Sequence, residues 1–406
     1  MFRTLIAATT LALAACVTQP PMITQQATGP SGYPLSPQQR VTTAAEIYHA
    51  NLDARIDVLS DNLQDTMARA ELAAALLLRF RVIGRIEDGE RALALAREAA
   101  AAAPGDPAVQ RVNFAALSAF HLFDQAQASL ARLEAAGADG RSLQRDLRLA
   151  RGDYAPLEPD FVESRLPVAD FYELASRADL RLMSGDPAGA AQWYRAAQDL
   201  YTDVDPLPLA WLYTQQGIAL LRHGQCARAR VFFSAALARL PRYYLAAEHL
   251  AECEAELGEL EAARSRYLAV IEQTGNPEFL AALAAVEVRR GDARAAGAAR
   301  EAAHAGYRQL LARWPAAYAQ HAAEFYLDDG QVDRAHALAL RNLELRQDIG
   351  SLILLAQTAA ASGDLALACE SAVRARATGL RPPELSDLDS LAVRCPAIPQ
   401  AINRAG

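Results

Sequence analysis

Two histidine–cysteine pairs are the residues of this chain best suited, by type and spacing, to hold a metal ion. His223 and Cys226 are separated by two residues, and His249 and Cys253 by three. Two cysteines and two histidines form a common zinc set, and residues four apart on a helix share a face. The two pairs are farther apart than in compact zinc fingers, and cysteines of exported proteins more often oxidise. Metal binding, a disulfide and unpaired buried thiols therefore stay open.

The sequence contains none of the motifs that mark the common enzyme classes. It has no HExxH, GxSxG, phosphate-binding loop or dinucleotide fingerprint. It also has no lysine, which excludes Schiff-base and P-loop chemistry. We therefore expect neither an enzyme nor a cofactor. The alternative is a catalytic or accessory site in the less regular region 41–166, where Tyr48, His49 and His121 offer polar groups.

Composition excludes two further classes of protein. With 52% hydrophobic residues among 406, the chain can build cores over most of its length and is not intrinsically disordered. Its net charge is −8, whereas nucleic-acid binding requires a basic face for phosphates. We therefore expect a folded protein that does not bind nucleic acid.

The first residues have the layout of an export signal. Arg3 precedes an apolar run too short to span a bilayer, and the run ends Leu13-Ala14-Ala15-Cys16. This ending resembles the lipobox of bacterial lipoproteins. The resemblance implies cleavage before Cys16 and acylation of that residue, which would anchor the protein in a membrane. Because no aspartate follows the cysteine, we expect an outer-membrane lipoprotein that faces the periplasm.

A repeated pattern dominates the rest of the chain. Around residue 217 small residues, an aromatic residue and a closing proline follow in the order Gly217, Gly224, Ala229, Phe233, Ala236, Pro241. This stretch resembles a tetratricopeptide repeat, in which small residues let two helices approach. Turn glycines then recur at intervals of 33, 34 or 39 residues, against a family period of about 34. The resemblance implies an all-α fold, a right-handed superhelical solenoid of antiparallel helix pairs.

The pattern also predicts a division of the chain. Residues 1–15 are the signal peptide, and 16–40, rich in Pro, Gly and Gln, form a disordered tether. Degenerate helical repeats follow over 41–153, with a pre-repeat helix near 43–60. Prolines mark a junction at 154–167, and regular repeats occupy 168–383. A capping helix near 384–394 and a tail complete the chain over 384–406, since solenoids need closed ends.

The resemblance also implies a binding groove. In tetratricopeptide repeats the first helices line a concave face. Carried over position by position, that face includes Trp211, Arg222, Glu248, Glu252, Glu256, Glu324 and Asp328. The set is mostly acidic, so the expected partner is a basic or apolar protein or peptide. A merely solvated acidic face is the alternative.

The repeat register pairs the four remaining cysteines. Cys226 and Cys253 are 27 residues apart, and Cys369 and Cys395 are 26 apart. In both pairs one cysteine begins a second helix and the other lies late in the next first helix or cap. The antiparallel helices implied by the resemblance bring those places side by side. We therefore predict the disulfides Cys226–Cys253 and Cys369–Cys395.

Two functions fit these observations. The first is a lipid-anchored periplasmic scaffold that binds or positions a protein partner in the bacterial envelope. The second is an accessory or catalytic component of an envelope enzyme or a polysaccharide-export system.

Overall fold

Helix-forming alanine, leucine and arginine recur along the chain and favour a helical fold. The computed structural model describes residues 44–154 and 170–395, and over these ranges its regular structure is nineteen α-helices and one 3₁₀ helix. The helices before the gap are α1 (Ala44–Ser60), α2 (Thr66–Ile83), α3 (Ile86–Ala102), α4 (Pro107–Ala119), α5 (Phe123–Ala135) and α6 (Arg141–Arg151).

The helices of residues 170–395 form the longer part of the fold. They are α7 (Phe171–Met183), α8 (Pro187–Leu200), α9 (Pro206–Arg222), α10 (Cys226–Arg239), α11 (Tyr244–Glu256), α12 (Leu260–Thr274), α13 (Pro277–Arg290), α14 (Ala293–Arg313), α15 (Pro315–Asp328), α16 (Val332–Leu345), α17 (Ile349–Ser362), α18 (Leu365–Ala377), the 3₁₀ helix (Pro383–Leu388) and α19 (Asp389–Ala392). Each packs chiefly on its neighbour in sequence, which makes an all-α solenoid of helix pairs and confirms the predicted fold class.

Glycine–aspartate turns set the boundaries of several helix pairs. At 185–186, 291–292 and 363–364 the glycine has a φ between +80° and +88°, which an L side chain adopts only with strain. The aspartate then caps the next helix: Asp364 accepts a hydrogen bond from the Leu367 amide at 3.0 Å. These residues end one helix and begin the next.

Small residues let the two helices of a pair approach closely. The alanine five positions after each turn glycine is buried in all six regular repeats: Ala190, Ala229, Ala263, Ala296, Ala335 and Ala368. Tyr194, Phe233 and Tyr267 fill the adjacent space and are also buried. The packing of small and aromatic residues predicted around residue 217 is therefore confirmed, and the buried alanine recurs in the other repeats.

The contact between Gly217 and Phe233 supplies a stability prediction. A Cβ on Gly217 would lie 2.4 Å from the Phe233 ring, so Gly217→Ala forces apart α9 and α10. We expect a loss of about 1–3 kcal/mol in the free energy of unfolding, measured by chemical denaturation. Gly297→Ala in α14 is the control, because its Cβ meets nothing within 4 Å. That change should be neutral or stabilising by up to about 1 kcal/mol. Equal effects at both positions would contradict the packing argument.

The helices of residues 44–154 pack against the repeats of residues 170–395. The Gln273 side chain donates to the Ile83 carbonyl at 2.7 Å, and Trp314 Nε1 donates to Glu90 Oε1 at 2.6 Å. The Trp314 ring also lies 4.7 Å from that of Phe120, centroid to centroid. The two parts of the chain therefore form one packed body.

The C-terminal segment returns to the beginning of the regular repeats. The Arg381 amide donates to the Met183 carbonyl at the end of α7, and Arg222 at the end of α9 forms an ion pair with Glu384. The predicted capping helix near 384–394 is present, but as the 3₁₀ helix followed by the single turn of α19 and not as one regular α-helix. Leu385, Leu388 and Leu391 explain the difference, since their spacing of three matches the 3₁₀ period and all are buried.

Other predicted segments lie partly or wholly outside the described residues. The pre-repeat helix is confirmed as α1. The signal peptide, the tether with Cys16 and nearly all of the junction fall outside. Among the helices that the structure describes, none has the length and apolarity to cross a bilayer.

Candidate functional site

Carboxylates and imidazoles from three successive first helices lie close together. We call this set the carboxylate–histidine cluster: Glu248, His249 and Glu252 on α11, Glu278 on α13, and His321 and Glu324 on α15. His249 lies between two carboxylates, with Nε2 at 2.9 Å from Glu248 and Nδ1 at 3.4 Å from Glu252. His321 Nδ1 lies 3.5 Å from oxygens of both Glu278 and Glu324. Each histidine thus pairs with the glutamate three residues after it on the same helix, and each also lies beside one further glutamate.

Burial and mutual charge shift the protonation of this cluster. Burial raises the pKa of Glu248 to about 7, although the neighbouring His249 opposes the shift. Burial alone would lower the pKa of His249, but the charges of Glu248 and Glu252 outweigh it and raise the value to about 10. His321 behaves alike through Glu278 and Glu324, and its pKa rises to about 9. Both imidazoles are therefore cationic at neutral pH, and each partly neutralises the acids beside it.

The structure distributes the predicted groove residues between core, cluster and surface. Trp211 is 9% exposed and packs on the Phe171 and Tyr172 rings, so it is a core residue. Arg222 is bound to Glu384 of the C-terminal segment. Glu248, 5% exposed, belongs to the buried cluster, as do the partly buried Glu252 and Glu324. Only the ends of two first helices, at Glu256 and Asp328, present exposed acids. An open groove lined by all seven residues is therefore wrong.

The sequence reasoning missed two members of the cluster. Glu278 begins α13, where it reads as an ordinary acidic residue of a first helical turn, and His321 is a single histidine on a mixed helix. The available signal was the repeated His-x2-Glu spacing at 249–252 and 321–324 on alternate first helices.

The cysteines confirm one predicted pair and contradict the other. Cys369 and Cys395 form a disulfide with a Cα–Cα distance of 5.5 Å. Cys226 and Cys253 are free and buried, although their thiols hydrogen-bond to each other. Burial raises the pKa of both thiols, which depletes the thiolate that disulfide formation requires. The register thus predicted the proximity of this pair but not its oxidation state.

The four residues of the proposed zinc set do not assemble. His223 is exposed, and its Nδ1 lies 2.8 Å from the Ala219 carbonyl. His249 faces Glu248 and Glu252 instead of the two thiols, because the carboxylates are on its own helix one position before it and three after. The metal-ligand set of His223, Cys226, His249 and Cys253 is therefore wrong.

Tyr48, His49 and His121, the candidates for an N-terminal catalytic site, contact the later repeats. His49 Nε2 lies 2.9 Å from the Pro241 carbonyl, and His121 Nδ1 lies 3.2 Å from the Ala316 carbonyl. Burial lowers the pKa of His121 to about 3, so this imidazole is neutral and acts as a packing group. His49 and His121 thus join the two parts of the chain, and the Tyr48 ring contacts that of His49.

A cleft of about 400 Å³ opens where the two parts meet. His121, Asp124, Arg151 and Glu344 are among its lining residues. Arg151 donates to Asp124 at 2.6 Å, so these two charges of the cleft are paired with each other.

Part of the repeat array matches a known family. The family model of the tetratricopeptide repeat matches residues 220–286. The matched stretch runs from the end of α9 into α13 and includes the helix pair α11–α12, so it confirms the predicted repeat there. Among curated proteins none matches this chain significantly.

Solved structures with similar helical repeats share little sequence with this chain. A tetratricopeptide repeat protein from Parabacteroides merdae is 18% identical, with 55% of this chain and 98% of that chain covered and a TM-score of 0.30. Yeast Tom70 is 13% identical, with 87% and 90% covered and a TM-score of 0.35. The human IFIT1 dimer with PPP-AAAA is 16% identical, with 82% and 80% covered and a TM-score of 0.38.

Proposed function

We propose that the protein is a lipid-anchored scaffold that holds a protein partner in the bacterial envelope, at the periplasmic face of the outer membrane. The observation that carries this proposal is the solenoid of consecutive helix pairs, which offers a long surface suited to protein–protein interaction. The export-signal pattern ending in Cys16 and the Pro- and Gln-rich segment behind it support the anchor and the tether.

Exposed acids at the ends of first helices are the part of the predicted groove that a partner could reach. Glu256 at the end of α11 and Asp328 at the end of α15 are both exposed, and Glu256 lies 3.8 Å from Arg289. Charges at the rim of an interface mainly set association rate and salt dependence. A basic segment of a partner protein fits this surface best.

The proposed lipid anchor at Cys16 predicts that loss of this cysteine changes the cellular fraction in which the protein is found. Cys16→Ser removes the sulfur that carries the lipid, so the variant is expected to move from the membrane fraction to the soluble periplasmic fraction. Its circular dichroism and melting temperature should match those of the wild type, because Cys16 lies ahead of the helical body. A variant that stays in the membrane fraction would contradict the anchor.

The partner surface predicts a charge effect on binding. Glu256→Arg with Asp328→Arg is expected to weaken co-purification of the partner from detergent-solubilised envelopes, and the loss should be largest at low salt. Stability should change by less than about 1 kcal/mol, since both positions are exposed.

The matched control for this charge reversal lies on the second helices. Glu272→Arg with Glu301→Arg changes the same charge at exposed positions of α12 and α14. It should leave co-purification unchanged. Equal binding by the two double variants would contradict the proposed surface.

A further inference from the structure

Two arginines near the contact between the two parts of the chain have no direct partner among the described residues. Arg81 lies in the last turn of α2, and Arg145 lies on α6. Within the described ranges neither guanidinium forms an ion pair or a hydrogen bond. By contrast, the buried Arg177 and Arg346 each form an ion pair with a carboxylate. Arg81 and Arg145, which are partly buried, therefore differ from the other interior arginines.

Burial makes the missing partners costly. It lowers the pKa of Arg81, yet a guanidinium stays charged in proteins. Arg145 supplies an independent observation, because its Nε is closed off from solvent and has no hydrogen bond. Charged and polar groups that leave water without a partner cost free energy. Both side chains only donate hydrogen bonds, so the group that they lack is an acceptor with negative charge.

Asp146 is the acid whose charge acts on both arginines, but it does not neutralise them. Its side chain is 7% exposed, and burial raises its pKa to about 7, although Arg145 and Arg81 oppose the shift. The carboxyl is therefore partly protonated at neutral pH, and one carboxyl cannot balance two guanidiniums. The arginines act on Asp146 from beyond ion-pair distance, so a ligand can bind them without displacing an ion pair.

Two tyrosines from the repeats complete the surroundings of Arg81. Tyr172 on α7 and Tyr243, the residue before α11, both act on its charge. Burial raises the pKa of Tyr243, so its hydroxyl is neutral at physiological pH and can donate a hydrogen bond. Donors from both parts of the chain thus surround a centre of positive charge.

We propose that Arg81 and Arg145 bind one doubly charged tetrahedral oxyanion, of the phosphate or sulfate type. Guanidinium groups bind such anions through paired N–H donors. Two negative charges match two guanidiniums, whereas a single carboxylate leaves one of them uncompensated. The anion is held by α2 and α6 beside α7 and α11, so its binding stabilises the packing of the two parts of the chain.

Titration with inorganic phosphate and with sulfate tests the site. The full-length protein in mild detergent, dialysed free of both anions, is titrated with each by calorimetry at constant ionic strength. We expect one anion per chain and a rise in melting temperature, and the tighter of the two anions identifies the ligand. Acetate, the carboxylate control, should bind at least tenfold more weakly. Acetate binding of equal strength, or no stoichiometric binding of either dianion, would overturn the proposal.

Variants locate the anion. Arg81→Gln and Arg145→Gln should each weaken its binding at least tenfold. Arg85→Gln is the matched control, because Arg85 lies exposed four residues after Arg81, and it should leave the affinity unchanged. Asp146→Asn keeps the shape of the carboxyl and removes its charge, so the anion should bind more tightly. Equal affinities in all four variants would place the anion elsewhere and contradict the site.

The anion-free protein separates a binding role of Arg81 from a structural one. Removal of an uncompensated charge should leave the melting temperature of anion-free Arg81→Gln unchanged or higher, and the variant should no longer respond to phosphate or sulfate. A lower melting temperature together with an unchanged response would show that Arg81 serves only to attract Asp146. If Arg81→Gln fails to fold, the opposite effects expected of Arg145→Gln and Asp146→Asn on affinity decide.

Discussion

Asp348→Ala is expected to lower the free energy of unfolding by about 3–5 kcal/mol. Asp348 is 2% exposed, forms an ion pair with Arg346, and accepts hydrogen bonds from the amide and hydroxyl of Ser351. Its removal breaks the buried ion pair with Arg346 and removes the N-cap of α17. Chemical denaturation monitored by circular dichroism measures the loss.

A second capping aspartate provides the matched control for this variant. Asp364 caps α18 with a hydrogen bond to the Leu367 amide, but it is exposed and has no buried partner. Asp364→Ala should therefore cost only about 1 kcal/mol, the usual value of a helix cap. Similar losses at the two positions would show that capping alone accounts for the effect.

The ion pair between Asp348 and Arg346 also predicts how stability changes in acid. Burial raises the pKa of Asp348, but the charge of Arg346 and the hydrogen bonds outweigh it, so the folded-state pKa lies below the ordinary value. Because the pKa of Asp348 is lower in the folded state than in the unfolded state, its carboxylate stabilises the fold at pH values above the unfolded pKa of about 3.9. This stabilisation is lost as the pH falls through the folded-state pKa of Asp348. Between neutral pH and about pH 3, the wild type should therefore lose more stability than Asp348→Ala.

Loss of the Cys369–Cys395 disulfide is the other large expected effect. Cys369→Ser or Cys395→Ser should lower the free energy of unfolding by about 3–4 kcal/mol, because the bond closes a loop with a sequence separation of 26 residues. Cys395 is 2% exposed and packs with Leu388 and Leu391 in the C-terminal core. The bond thus fixes the C-terminal segment to α18.

Reduction gives the control for this prediction. A thiol reductant should lower the melting temperature of the wild type toward that of Cys395→Ser and should leave the variant unchanged. Cys226→Ser should retain the sensitivity to reductant, since its thiol is free. A wild type whose melting temperature is insensitive to complete reduction would contradict the stabilising role.

Local and periodic features of the fold could be predicted from the sequence. Gly363 and Asp364 specify a turn by their own chemistry, and Ala229 with Phe233 repeats at a spacing that only a paired helix explains. Cys369 and Cys395 followed from the same register. These predictions succeed because each depends on residues that are close in sequence or related by a fixed period.

The candidate site depends on contacts that no period encodes. Glu248 has the register of a groove residue, yet its burial depends on how the repeats and the N-terminal helices pack together. Trp211 likewise became core because Phe171 and Tyr172 reach it from α7. For Cys226 and Cys253 the register gave proximity, whereas oxidation depends on the protonation of buried thiols.

The return of the C-terminal segment to α7 and α9 changes how this solenoid should come apart. Repeat arrays usually fray from their ends, because each unit contacts only its neighbours. Here Arg381 and Glu384 attach the last segment to residues 198 and 162 positions earlier, and Trp314 ties the middle of the array to α3. Because these contacts join distant repeats of the described chain, we expect it to unfold cooperatively over the whole body and not repeat by repeat. Its folding should likewise wait on contacts between distant parts of the chain.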